Sequence, residues 1–150
     1  MARRARGTRV VVDTSVLFSA VRSPRGFARD LLNAGIDGDV DLIISDVILV
    51  ETTRNLNKKG TAAELAFFGD LVTFDAVRLV SHAPELVARV ALSVEPKDAP
   101  IVAAAITAEA SMLATYDRRH LLSRADEIKR LFDIAVMTPE AILSSLPNVD

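Results

Sequence analysis

Short apolar runs alternate along this chain with stretches whose apolar residues recur at helical spacing. Val10-Val11-Val12 is entirely β-branched, as expected of a strand covered on both faces, and Asp13-Thr14-Ser15 stops it. Ser23-Pro24 then opens a helix with Phe27, Leu31 and Leu32 on one face and a stop at Gly35. Leu42-Ile43-Ile44 is a second buried run, closed by Ser45-Asp46. Ser45 is suited to cap the following helix, since its hydroxyl can accept from a free first-turn amide. That helix carries Val47, Leu49, Val50, Glu51 and Leu56 and ends near Lys58-Lys59-Gly60.

The same reading predicts a helix over 62–72, a strand over 77–80 and a helix over 84–92, with Pro96 breaking the pattern. Asp98-Ala99-Pro100 introduces an alanine-rich helix over 101–110, where proline costs nothing because a first-turn amide has no partner to lose. Met112-Leu113-Ala114 reads as a strand ended by Thr115-Tyr116-Asp117, and a helix over 118–131 follows. A strand over 134–137 and a helix after Thr138-Pro139 complete the chain. Strands separated by helices imply parallel crossovers, hence a three-layer α/β/α sandwich around a central parallel sheet.

Composition narrows the function. At 150 residues and 50% hydrophobic content, the chain is one domain's worth and can bury a substantial core. Residues 1–8 read as a basic N-terminal tail and 9–150 as the domain. The start, with Arg3, Arg4, Arg6 and Arg9, does not read as a secretion signal, because only Val10–Val12 follow before Asp13. No uninterrupted apolar run reaches spanning length, so no membrane association is expected. The chain has no cysteine, which removes disulfides, thiolate metal sites and a cysteine nucleophile, and fits a reducing, cytoplasmic setting. Lys+Arg number 18 against 20 Asp+Glu, a net charge of −2. Such a chain cannot hold a polyanion by bulk attraction; it needs local arginines or a bound cation.

Four carboxylates stand out by position. Asp13 ends one strand, and Asp117 lies just past another. In open parallel sheets, ligands bind beyond the carboxyl ends of the strands. Glu51 comes six residues after Ser45 on a helix starting at that edge, and Asp98 stands at a helix start, where the N-terminal dipole favours negative charge. Taken singly, each acid is an ordinary turn, cap or solvated helix residue. Together they can converge on one rim, where their mutual repulsion is best relieved by a divalent cation. Oxygen ligands select Mg²⁺ or Mn²⁺ over zinc, and such ions suit phosphodiester hydrolysis.

Other residues weigh less. Ser15 lacks the surroundings of a hydrolase nucleophile, since only His82 and His120 could serve as bases and no Gly-x-Ser-x-Gly elbow exists. His120 reads as a surface histidine at a helix start ahead of a metal ligand, and His82 as a loop residue. Arg118 and Arg119 can touch nucleic-acid phosphates beside Asp117. Arg22, Arg25 and Arg29 form a second basic patch, spaced as on one helix face, with a solvated face as its plainer reading. Tyr116 is the only tyrosine and tryptophan is absent, so base-stacking platforms are scarce.

Four blocks, in order, resemble the PIN domain family. They are Val11-Val12-Asp13-Thr14-Ser15-Val16-Leu17, Ser45 followed by Glu51, Lys97-Asp98-Ala99 leading into Ile101-Val102-Ala103-Ala104-Ala105, and Leu113-Ala114-Thr115-Tyr116-Asp117 with Leu121. The first block, with Ser19-Ala20 and Ser23-Pro24-Arg25-Gly26, is similar to the VapC-like subgroup of toxins from toxin–antitoxin pairs. The resemblance implies a Mg²⁺- or Mn²⁺-dependent endoribonuclease acting on RNA, with Asp13, Glu51, Asp98 and Asp117 as catalytic metal ligands. It assigns Thr14 or Ser15, and Thr115, as supporting hydroxyls. It also implies a homodimer and a cognate antitoxin that blocks the cleft. The second acid that some members carry near Asp98 is absent here. Two alternatives stand against this reading. One is a catalytically inactive module of the same fold that binds RNA or protein. The other is an aspartyl phosphotransferase, disfavoured because Ser15 occupies the position of its second acid.

Overall fold

The computed structural model describes residues 7–147. Five strands, β1 (Arg9–Val12), β2 (Asp41–Ser45), β3 (Val77–Val80), β4 (Met112–Ala114) and β5 (Ala135–Met137), form one parallel sheet in the order β3-β2-β1-β4-β5. Eight helices connect them among the described residues: α1 (Thr14–Arg22), α2 (Phe27–Ile36), α3 (Asp46–Lys59), α4 (Ala62–Thr73), α5 (Pro84–Val90), α6 (Ala99–Thr107), α7 (Ala125–Phe132) and α8 (Pro139–Ser145). The chain steps outward from β1 to β2 and β3, then crosses back to β4 and β5. Right-handed crossovers therefore assign α1–α4 to one face and α5–α7 to the other, giving the α/β/α sandwich that the alternating pattern implies. Strand order reverses beside β1, and Asp13 and Asp117 flank that switch point.

The core is where the apolar runs lie. Val10, Val11, Val12, Ile43, Ile44 and Leu113 are all essentially inaccessible. Burying each such side chain contributes about 1.5–3 kcal/mol. In α6 five successive residues, Ile101 to Ala105, are buried, so the helix is apolar on every side. It packs on β1, β2 and β4, and its start carries Asp98.

Five elements differ from the sequence expectation, four of them substantially. Residues 14–22 form a helix that begins directly after β1, because the Asp13 side chain caps it by accepting from Thr14 N (2.9 Å). The stop at Asp13-Thr14-Ser15 is thus a strand end and a helix start at once. Ser23 closes that helix, and the next begins only at Phe27, since Gly26 adopts φ +104°, outside helical space. Arg22, Arg25 and Arg29 consequently lie on a helix end, a connection and a second helix, not on one helical face. The third difference is α6, which runs over 99–107 and not 101–110 and stops before Glu109 at φ +55°. The fourth is the stretch expected to be a helix over 118–131, which is helical only from Ala125, after a 3₁₀ turn over 122–124. Its first residues wrap around Asp117, whose carboxylate takes the amides of Arg119 and His120. A smaller difference is α5, which ends at Val90.

At the amino end, the Thr8 carbonyl accepts from Asp41 N (2.8 Å), so sheet pairing starts one residue before Arg9. Arg3, Arg4 and Arg6 of the basic tail lie outside the described residues.

Candidate metal centre

Parallel strands with helices starting at their carboxyl ends deliver four acids to one place. Asp13 at the end of β1, Glu51 in the second turn of α3, Asp98 at the start of α6 and Asp117 beyond β4 all line a single cleft of about 370 Å³. Thr14, Ser15, Ser45 and Lys97 add polar lining, and Ile48, Pro100 and Ile101 supply an apolar wall. Ser45 caps α3 as its sequence position suggests, accepting from Ile48 N at 3.2 Å.

Asp13 is held on both oxygens. Oδ1 accepts from Thr14 N at 2.9 Å and Oδ2 from the Thr115 hydroxyl at 2.7 Å. The same hydroxyl accepts from Asp117 N at 2.9 Å, so buried Thr115 couples two of the acids through one oxygen. The Thr14 hydroxyl donates to Glu51 Oε1 at 2.8 Å, tying α3 to the start of α1. Ser15 Oγ accepts from Tyr116 N at 3.3 Å, which fastens the start of α1 to the segment after β4.

Burial pushes the Asp13 carboxyl above its ordinary pKa, and the nearby Asp98 and Asp117 charges add to that. The hydrogen bonds from Thr115 and Thr14 offset only part. Asp98 is likewise raised, first by burial and then by Asp117, with Lys97 opposing. Asp117 is the opposite case. Burial alone would raise it, but the His120 amide and the charge of Lys97 outweigh that and hold its carboxyl low. The cleft thus contains two carboxyls whose ionisation burial makes harder and one whose ionisation its neighbours ease.

Two residues emerge that sequence reasoning passed over or discounted. Lys97 Nζ lies 3.5 Å from both Asp98 Oδ1 and Asp117 Oδ2 and partly neutralises the pair. His120, read from sequence as a surface histidine, is half-buried with Nδ1 3.6 Å from Asp117 Oδ2. One ligand atom from each of Asp98, Asp117 and His120 falls within 4.8 Å of the others. Asp13 and Glu51 flank this trio and are not part of it. The three-residue step from Asp117 was the available signal for His120, since an Asx-type loop turns residue i+3 back towards the aspartate.

The donor set fits a divalent cation. Asp98 is nine-tenths buried, and its Oδ2 finds no hydrogen-bond partner among the described residues. A buried carboxylate oxygen left in that state is costly unless it meets a cation.

The candidate nucleic-acid arginines fall into two groups. Arg118 and Arg119 are exposed in the loop beside Asp117, and Arg25 is exposed between α1 and α2. Arg22 pairs with Glu64 at 3.2 Å and covers the Phe18 ring. Arg29 is structural: it donates to the Ala20 and Val21 carbonyls at 2.6 and 3.1 Å and lies over the Phe67 ring.

A three-layer sandwich with acids gathered at the sheet's switch point defines a class, and residues 9–119 match the family model of the PIN domain. The chain belongs to the PIN domain family. In fold it is similar to VapC20 of Mycobacterium tuberculosis, a sarcin–ricin loop cleaving toxin, with a TM-score of 0.56 at 15% identity. That likeness covers 73% of this chain and 91% of VapC20. It is also similar to VapBC2 of Rickettsia felis, solved bound to a promoter DNA fragment, with a TM-score of 0.61 at 15% identity over 87% of this chain and 98% of that one. PAE2754 of Pyrobaculum aerophilum aligns with a TM-score of 0.58 at 19% identity, over 91% of this chain and 88% of that one. No curated protein matches the chain in sequence.

Proposed function

We propose that this chain is a Mg²⁺- or Mn²⁺-dependent endoribonuclease that hydrolyses RNA phosphodiester bonds, and that it is the toxin of a toxin–antitoxin pair. The observation that carries the reading is the convergence of Asp13, Glu51, Asp98 and Asp117 on one cleft, with Asp98 Oδ2 buried and unpartnered among the described residues. Membership of the PIN domain family supports nuclease chemistry. The fold shared with an RNA-cleaving toxin and with a toxin–antitoxin complex supports RNA as substrate and an antitoxin as partner. A homodimer in the cytoplasm completes the proposal.

In this reading the four carboxylates are the catalytic metal ligands. A dication held by them would supply an activated water and would neutralise charge on the leaving oxygen. The chain's own groups do the positioning. Thr115 and Thr14 N fix Asp13, Thr14 Oγ1 fixes Glu51, and the Arg119 and His120 amides fix Asp117. Arg118 and Arg119 grip phosphates beside the cleft and Arg25 extends the basic surface, while Arg22 joins it only by giving up its pairing with Glu64.

The test is cleavage of RNA by purified protein with Mn²⁺, compared with Asp13→Ala and with excess EDTA. Cleavage lost in both is the expected result. Cleavage that persists in EDTA overturns the proposal.

A further inference from the structure

The geometry points to His120 as a nitrogen ligand of the cleft's dication, which makes the site selective for a first-row transition ion such as Mn²⁺ over Mg²⁺. This rests on the metal-dependent reading above and goes beyond it, because four acids alone provide only oxygen donors. Two independent contacts fix the histidine. Its amide donates to Asp117 Oδ1 at 3.0 Å, and its ring Nδ1 stands 3.6 Å from Asp117 Oδ2. The backbone bond holds the His120 main chain against Asp117, and from there the ring lies beside the same carboxylate.

Ligand atoms on a single ion at about 2.0–2.2 Å lie about 3–4.4 Å from one another. Asp98, Asp117 and His120 each offer an atom within 4.8 Å of the other two. Closing those separations by at most about 1.8 Å brings all three onto one ion. Asp98 also carries a buried oxygen, Oδ2, with no hydrogen-bond partner among the described residues, an observation independent of the histidine. Mg²⁺ is a hard ion that dehydrates reluctantly and favours oxygen, whereas first-row transition dications gain from an imidazole donor. An oxygen-and-nitrogen set thus separates ions that an all-carboxylate set would bind more evenly.

The experiment uses full-length protein stripped of metal. Mn²⁺ and Mg²⁺ are titrated by calorimetry into wild type and into His120→Ala, and the Mn²⁺ complex of the wild type is examined by pulsed electron paramagnetic resonance. The expected results are a ¹⁴N coupling from an imidazole in the wild type, its loss in His120→Ala, and about a tenfold or greater loss of Mn²⁺ affinity with Mg²⁺ changed less than about threefold. The spectrum of the wild type needs no variant, so misfolding cannot mask the answer. Mn²⁺ bound without nitrogen coupling, or equal losses for both ions, overturns the inference and leaves the nuclease reading standing. Failure of the wild type to bind either ion overturns both.

Discussion

Thr115→Val is the most discriminating single change, because one hydroxyl holds two acids and valine preserves the side chain's shape. Thr115 is fully buried, donates to Asp13 Oδ2 at 2.7 Å and accepts from Asp117 N at 2.9 Å. A hydrogen bond to a charged acceptor contributes about 1.5–3 kcal/mol, and an amide deprived of its acceptor costs about 1 kcal/mol where water can partly replace it. The total, about 2.5–4 kcal/mol at neutral pH, lowers the midpoint of thermal unfolding by about 5–16 °C for a chain of this size. Thr115→Ser keeps the hydroxyl and loses one methyl, at about 1 kcal/mol. The pH dependence follows from Asp13. The Thr115 bond favours the ionised carboxylate, so valine raises the folded-state pKa of Asp13 further above the ordinary 3.8. The extra destabilisation is therefore fully present at neutral pH and shrinks as the pH falls through that raised value. Calorimetric melts of the metal-free protein between pH 4 and pH 8 read both effects. Equal melting points for Thr115→Val and Thr115→Ser would refute the bridging role.

Four further expectations follow from the same contacts. Lys97→Met removes the ammonium 3.5 Å from two carboxylates and should tighten Mn²⁺ binding about three- to tenfold by calorimetry, after allowing for the lysine's exposure; Arg118→Met, outside that pair, should not. Asp98→Asn should raise the melting point of the metal-free protein by about 2–4 °C at pH 7. Because the folded pKa of Asp98 is raised, its ionised form costs stability above that pKa, so the gain fades as acid neutralises the native residue. Arg29→Met, which strips two carbonyls at the end of α1 of their donor, should cost about 2–4 kcal/mol in denaturant titrations, while Arg25→Met stays within about 0.5 kcal/mol. Mn²⁺ affinity should rise with pH above the ordinary carboxylate range, since Asp13 and Asp98 must lose protons that burial makes them retain; an affinity flat across that range would contradict those environments.

Much of this architecture is legible in the chain because buried parallel strands leave continuous apolar runs. The reading of 112–114 as a strand coincides with β4 for that reason, whereas β3, an edge strand with Arg78 in it, coincides with the expected 77–80 on a half-buried pattern. Ser45 and Thr138 are caps whose chemistry is local, and both hydroxyls accept the amide three residues on. The helix over 14–22 was illegible because its cap, Asp13, follows the strand without a loop. The loop after Asp117 was read as helix because its amides bond to a side chain, a choice that periodicity does not record. Strand ends show that four acids can share a rim. They do not show that Lys97 reaches across to two of them, or that the loop folds His120 against Asp117. Those placements depend on a side-chain path and a backbone turn, and both are settled only by the packed structure.

Anomalous scattering from crystals grown with Mn²⁺ is the most direct test of the central claim. The account predicts a manganese peak inside the cleft bounded by Asp13, Glu51, Asp98 and Asp117, lost when Asp98 is replaced by alanine. A fully loaded crystal whose ions all lie elsewhere on the surface would contradict it.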